Sequence, residues 1–218
     1  SPEEAATEAA GQLSAGLAAA ANRFPLAATL TAGWDSRTIL AASRGIARDI
    51  YFYTLLYRDL RADSDDVRIP REMLAAQGLS HHLIDDRGTA SRDFRDRYFA
   101  NADLAHDDWC NIAWSLQHSF PADRVAVKGN IAEVARCFYY KLGHHRPVAD
   151  ARDLVKLEPG WEGFEFIGRH LDSWLEDAAR TAKESGMDIL DLYYWEHRMG
   201  GWQAQSQLEW DLVQEVYT

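Results

Sequence analysis

Apolar positions along this chain switch between two spacings, and the switches lay out its elements. "SPEEAATEAAGQLSAGLAAAAN" carries Leu13 and Leu17 on one helical face. Ser1 can cap that helix, Pro2 suits its first position, and Glu4 can close a capping box. Pro25 ends it, and the apolar run from Leu26 to Thr31 predicts a strand. "IYFYTLLY", from Ile50 to Tyr57, is apolar almost throughout, as a central parallel strand should be. A helix from about Ser64 to Gln77 leads through Gly78 to a third strand, "SHHLID". Aromatic and acidic helical sequence fills Ser91 to Phe120, and "RVAVKG" reads as a fourth strand before a short helix, "IAEVARCFYY". "KLGHHRPVADARDLVKLEPG" has no clear period and predicts a loop or excursion. Trp161 to Lys183 and Met187 to Val216 read as helices.

Strands alternating with helices predict an α/β fold, a doubly wound parallel sheet of about five strands with right-handed crossovers and a helical C-terminal part. Residues 1–145 would form the α/β domain and 146–218 a helical extension packed on it. The ending "QEVYT" has no glycine or proline stop signal, which suggests that the chain is part of something longer.

Composition narrows the class. The 218 residues suffice for a buried core, and 47% hydrophobic with 26% charged residues is ordinary for a globular protein. A net charge of −11 argues against a nucleic-acid surface. Two cysteines, Cys110 and Cys137, without CxxC spacing, exclude a disulfide scaffold and predict reduced, buried thiols. No run reaches membrane-spanning length and the acidic start lacks a basic leader, so the expected location is cytoplasmic, with no membrane partner.

The chemistry concentrates at "LTAGWDSR", Leu30 to Arg37, where a strand turns into a helix. Such corners bind ligands in parallel sheets, and free N–H groups at a helix start favour an anion. Thr31 and Ser36 offer hydroxyls, and Gly33 permits close approach. Asp35 would repel a phosphate unless a cation lies between them, which suggests a Mg²⁺-bound polyphosphate. Alternatively, Asp35 simply caps a helix starting near Ser36. There is neither a GxxxxGK[ST] nor a GxGxxG motif.

This stretch resembles the SGGxDS pyrophosphate loop of the N-type ATP pyrophosphatases, in particular the synthetase domain of the asparagine synthetase and β-lactam synthetase family. The resemblance falls on Thr31, Ala32, Gly33, Asp35 and Ser36, with threonine for the leading serine and Ala32 for the first glycine. "SDDVRIPREMLAAQGLSHHLI" resembles a second family segment, with Asp66 opening a helix and His81–His82 on the next strand. "VAVKGNIAEVARCFYY" resembles the strand and loop carrying the family's second acidic motif. Gly129 and Glu133 match there, Ala132 replaces the adjacent aspartate, and Asn130 offers an amide oxygen. "LDLYYWEHRMGGWQAQS" resembles the helical segment that follows the nucleotide domain.

The resemblance implies an adenine nucleotide α-hydrolase-like fold and an ATP-dependent, AMP-forming amide ligase with ATP and Mg²⁺ as cofactors. A small-molecule or peptide carboxylate is adenylated, pyrophosphate leaves, and an amine attacks. It implies pyrophosphate contacts at the corner, adenine at the end of the second strand around Thr54 and Leu55, and metal ligation by Asp35 and Glu133. Gly129 and Asn130 would line the nucleotide site, while Arg37 and Lys128 are phosphate contacts by charge and location. Lys128 is also a catalytic candidate, with a structural salt bridge as the alternative. The family's glutaminase half uses an N-terminal cysteine, so Ser1 implies that a separate domain or partner chain supplies the amine. A catalytically degenerate ATP- or AMP-binding module is the alternative, favoured by Ala32 and the missing aspartate; a tRNA-modifying relative is a more distant one. The paired histidines, His81–His82 and His144–His145, are expected to place one ring of each pair in packing and the other in solvent.

Overall fold

The computed structural model describes residues 1–57, 59–85, 88–102, 107–129, 138–141, 143, 147–204 and 215–217. Two compact units divide the chain: Ser1–Asn130 with Gln205–Thr218, and Ile131–Ala204.

In the first unit, helix α1 (Pro2–Ala21) starts as its sequence predicts. Ser1 Oγ accepts from the Glu4 N–H at 3.3 Å, and the Glu4 carboxylate accepts from the Ser1 ammonium at 2.6 Å. Strands β1 (Leu26–Thr29), β2 (Tyr51–Leu55), β3 (His81–Ile84) and β4 (Val125–Lys128) pair in parallel in the order β3-β2-β1-β4. A three-residue segment, β5 (Glu215–Tyr217), runs parallel along β4. The α/β class with a parallel sheet is therefore as the sequence predicts.

Alternation along the strands explains why both faces are covered. Leu26, Ala28 and Leu30, with Phe52, Val125 and Val127, pack against Leu17 of α1, against Ile39 and Leu40 of α2 (Trp34–Ala42), and against Leu74 of α3 (Asp65–Ala75). Ala27, Tyr53 and Ile84 face the opposite way, onto Leu116 of α5 (Asp107–Ser119). Helix α4 (Arg92–Asn101) joins α5 in a smaller cluster around Tyr98, Ala113 and the buried Cys110, which is in no disulfide. Each fully buried leucine here contributes about 1.5–3 kcal/mol.

The chain places β2 and β3 on one side of β1 and then returns to lay β4 on the other. That reversal falls between β1 and β4, and the carboxyl ends of strands at such a point are the usual ligand position in open parallel sheets. Strand β1 is shorter than its apolar run. Leu30 N–H still bonds Tyr53 O at 2.8 Å, but the Thr31 N–H turns inward to Ser36 Oγ at 3.0 Å.

The second unit is helical. It contains α6 (Phe138–Lys141), α7 (Ala151–Val155), α8 (Glu165–Ser185), α9 (Ile189–Tyr193) and a π-helix from Tyr194 to Gln203. Its core joins Tyr139, Leu154, Leu171, Tyr193 and Met199, with Trp161 and Trp174 packed at its margin. Two expectations need correction here. The aperiodic stretch contains α7, whose N-cap Asp150 accepts from the Arg152 N–H at 2.9 Å; one short turn gives no readable period. The helix expected over Met187 to Val216 is α9 running into a π-helix that includes Gly200 and Gly201; residues 205–214 lie outside the described residues, and Glu215 and Val216 belong to strand β5. Among the described residues, no helix is long and apolar enough to cross a membrane.

Candidate functional site

Four side chains tie the β1–α2 corner into one shape. Ser36, nearly buried in the first turn of α2, accepts the Thr31 N–H and lies 3.2 Å from the Thr31 hydroxyl. Thr31 Oγ1 in turn accepts the Gly33 N–H at 3.1 Å. The Ala32 N–H donates to Asp66 Oδ1 at 3.0 Å, so the start of α3 is fastened to the loop across 34 residues of sequence. Behind the corner, the buried Thr54 hydroxyl donates to Leu30 O and lies 2.9 Å from His81 Nε2.

Helix α2 itself begins at Trp34 with Gly33 as N-cap, and no side chain caps it. Asp35 is therefore the second helical residue rather than a cap for a helix starting near Ser36; the helix starts two residues earlier. Its carboxylate still sits in the first turn, where the helix dipole favours negative charge. The loop amides of Thr31, Ala32 and Gly33 all have acceptors within the protein, so an arriving anion would be met first by the N–H groups of α2's first turn.

Gly129 closes the other side. A Cβ there would stand 2.9 Å from both the carbonyl carbon and oxygen of Asp35, and 3.2 Å from Ile39 Cγ1. Only glycine lets the end of β4 approach the first turn of α2 this closely. Lys128, half-buried, ends β4 beside it. Arg37 runs back along the helix: its Nε donates to Gly33 O at 3.3 Å and its guanidinium lies 4.6 Å from the Trp34 ring centre.

The fold thus brings Thr31, Ala32, Gly33, Asp35, Ser36, Arg37 and Gly129 together, with Lys128 at the adjoining strand end. Leu55 ends β2, one strand over. Thr54 has its side chain committed to the corner's support, which leaves only its backbone for a ligand. Asn130 and Glu133 lie outside the described residues, as do residues 131–137 of the expected helix "IAEVARCFYY", Cys137 among them, and His144–His145. Two residues had no role assigned from the sequence. The family-like position of Asp66 was its signal. Trp34, 70% exposed beside the loop, had none. The paired histidines of β3 differ from expectation, because both are half-buried: His81 bonds Thr54, and His82 stacks on Tyr51 with ring centres 4.0 Å apart. Burial, and then neighbouring cationic groups, push both imidazoles below the usual histidine range.

For a magnesium ion, the carboxylate at the corner is that of Asp35, while Asp66 accepts from the Ala32 N–H. Mg²⁺ commonly takes only one or two protein carboxylates, with phosphate oxygens and water completing its shell, so the donor set fits a nucleotide-bound ion. Among the described residues, no group of three or more His, Cys, Asp or Glu is gathered to hold a metal alone. Comparison with protein-family models, curated proteins and solved structures finds no match to this chain.

Proposed function

We propose that the chain is the synthetase part of an ATP-dependent, AMP-forming amide ligase of the asparagine-synthase-like type, on a doubly wound sheet of the adenine nucleotide α-hydrolase kind. A carboxylate displaces pyrophosphate from ATP, forming an acyl-adenylate, and an amine then displaces AMP to leave an amide. The observation that carries this reading is the uncapped start of α2, fixed by the Thr31–Ser36 and Ala32–Asp66 bonds at the strand-order reversal.

Each residue's part follows from its position. Thr31 and Ser36 hold the loop in shape before any ligand arrives, so little reorganisation is needed as charge develops on the leaving group. The first-turn N–H groups of α2 face that charge. Asp35 and, by resemblance, Glu133 would hold Mg²⁺, which supplies charge neutralisation for the departing pyrophosphate. Lys128 and Arg37 are the nearby cations. The acyl substrate is a small-molecule or peptide carboxylate, and the amine comes from a glutaminase-like domain or a separate chain.

Calorimetric titration with ATP tests the reading. Native protein should bind ATP in the presence of Mg²⁺ and much more weakly without it, and Asp35→Ala should abolish the difference. Equal binding with and without Mg²⁺ in both proteins would remove the metal role. Absence of binding by a folded chain would remove the ligase assignment.

A further inference from the structure

At the opposite end of the sheet, where the strands begin, lies a cavity of about 780 Å³. It is lined by the turns entering β1, β2 and β3 and by the residue before β4. Strands of four to five residues separate it from the β1–α2 corner by roughly 15 Å. Three guanidinium groups, Arg23, Arg48 and Arg124, line it, against a single carboxylate, Asp49. This is a local reversal of sign in a chain of net charge −11.

Arg23 and Arg48 are exposed, with the Arg23 guanidinium 5.4 Å from the Phe24 ring centre, and Arg124 is only partly engaged. Arg124 Nη1 donates to Leu26 O at 3.0 Å and to Asp49 O at 2.9 Å, which fixes the plane of its guanidinium. Among the described residues, its Nε and Nη2 have no hydrogen-bond partner, and Arg23 and Arg48 have no ion-pair partner. The guanidinium carbon of Arg124 lies 5.8 Å from the Tyr51 ring centre, and Tyr51 carries the stacked His82 ring. One side of the cavity is therefore an aromatic pair beside an oriented cation.

We infer that this cavity is a binding site for a small organic phosphate, separate from the β1–α2 corner. A planar guanidinium with free N–H groups suits two phosphate oxygens, and two further arginines match a dianion better than a single carboxylate. A volume of about 780 Å³ exceeds what inorganic phosphate fills and lies in the range that takes a ligand of drug or sugar-phosphate size. The aromatic pair offers apolar surface to the ligand's organic part. This inference goes beyond the proposed ligase and does not depend on it.

The imidazole NMR signals of His82, identified by their loss in His82→Gln, report on this cavity. In Mg²⁺-free buffer, with ionic strength matched by chloride, phenyl phosphate and glucose 6-phosphate at roughly millimolar concentration should shift them saturably. Inorganic phosphate should bind more weakly. Arg23 and Arg48 are exposed, so the double variant Arg23→Ala/Arg48→Ala should fold and bind about ten-fold more weakly. Asp35→Ala should titrate like the native protein, which keeps this result separate from the corner. No saturable shift, a double variant that titrates like the native chain, or inorganic phosphate binding as well as the esters would overturn the assignment.

Discussion

Replacing Gly129 with alanine tests how closely the end of β4 meets the first turn of α2. The added Cβ would lie 2.9 Å from two backbone atoms of Asp35, where no flexible side chain can give way. Either β4 retreats from the sheet or α2 shifts along it. Strain of this kind costs about 1–3 kcal/mol. For a protein of this size, that lowers the melting temperature by roughly 2–4 °C per kcal/mol, or about 2–12 °C in all. Because the clashing atoms belong to Asp35 itself, binding of Mg²⁺–ATP should weaken as well. Gly16→Ala in α1 is the control: nothing lies within 4 Å of its added Cβ, and alanine should stabilise that helix by about 0.5–1 kcal/mol. Thermal unfolding followed by circular dichroism reads both variants. A Gly129→Ala protein that melts at or above the native temperature would refute the close approach on which the site's geometry depends.

Three further outcomes are expected. Asp66→Ala removes the acceptor of the Ala32 N–H, costs about 1 kcal/mol in urea unfolding, and weakens Mg²⁺–ATP binding; tighter binding would mean that Asp66 blocks the corner instead of shaping it. Ser36→Ala leaves the Thr31 N–H without its acceptor and should cost about 1–3 kcal/mol, whereas Ser36→Thr should retain part of that stability. The third concerns His197 in the second unit. Burial, then the neighbouring His170, push its imidazole below the usual range against a smaller opposing effect of Glu196. The unfolded chain therefore binds the proton more readily, and stability present above pH ~6.5 is lost as the pH falls below it. Its buried Nε2 has no partner among the described residues, and the Tyr193 and Trp174 rings lie beside it. His197→Phe should flatten the pH dependence of urea unfolding between about pH 7 and 5 without loss of stability at neutral pH; an unchanged slope would contradict the assignment.

Local chemistry decided what could be read in advance. The capping box at Ser1–Glu4, the strand-to-helix corner and the parallel β runs follow from neighbouring residues and are present, although β1 ends at Thr29 and α2 starts at Trp34. Asp66 was visible only as a family-like position, because its bond to Ala32 spans 34 residues. Helix α7 is a single capped turn, too short to give a period. The π-helix at Tyr194–Gln203 has no local pattern that separates it from an α-helix. His81 and His82 were expected to divide between packing and solvent because neighbours on a strand point to opposite faces. The pattern cannot show that Thr54 awaits one face and Tyr51 the other. The arginine-lined cavity was equally out of reach, since its cations come from the starts of three different strands.

The central claim is that the first turn of α2 receives a magnesium pyrophosphate. Amide NMR during titration with Mg²⁺ and inorganic pyrophosphate tests it most directly. The largest saturable shifts should fall on the N–H groups of Trp34, Asp35 and Ser36, should require Mg²⁺, and should disappear in Asp35→Ala. Shifts that centre elsewhere, or that are identical without the metal, would contradict it.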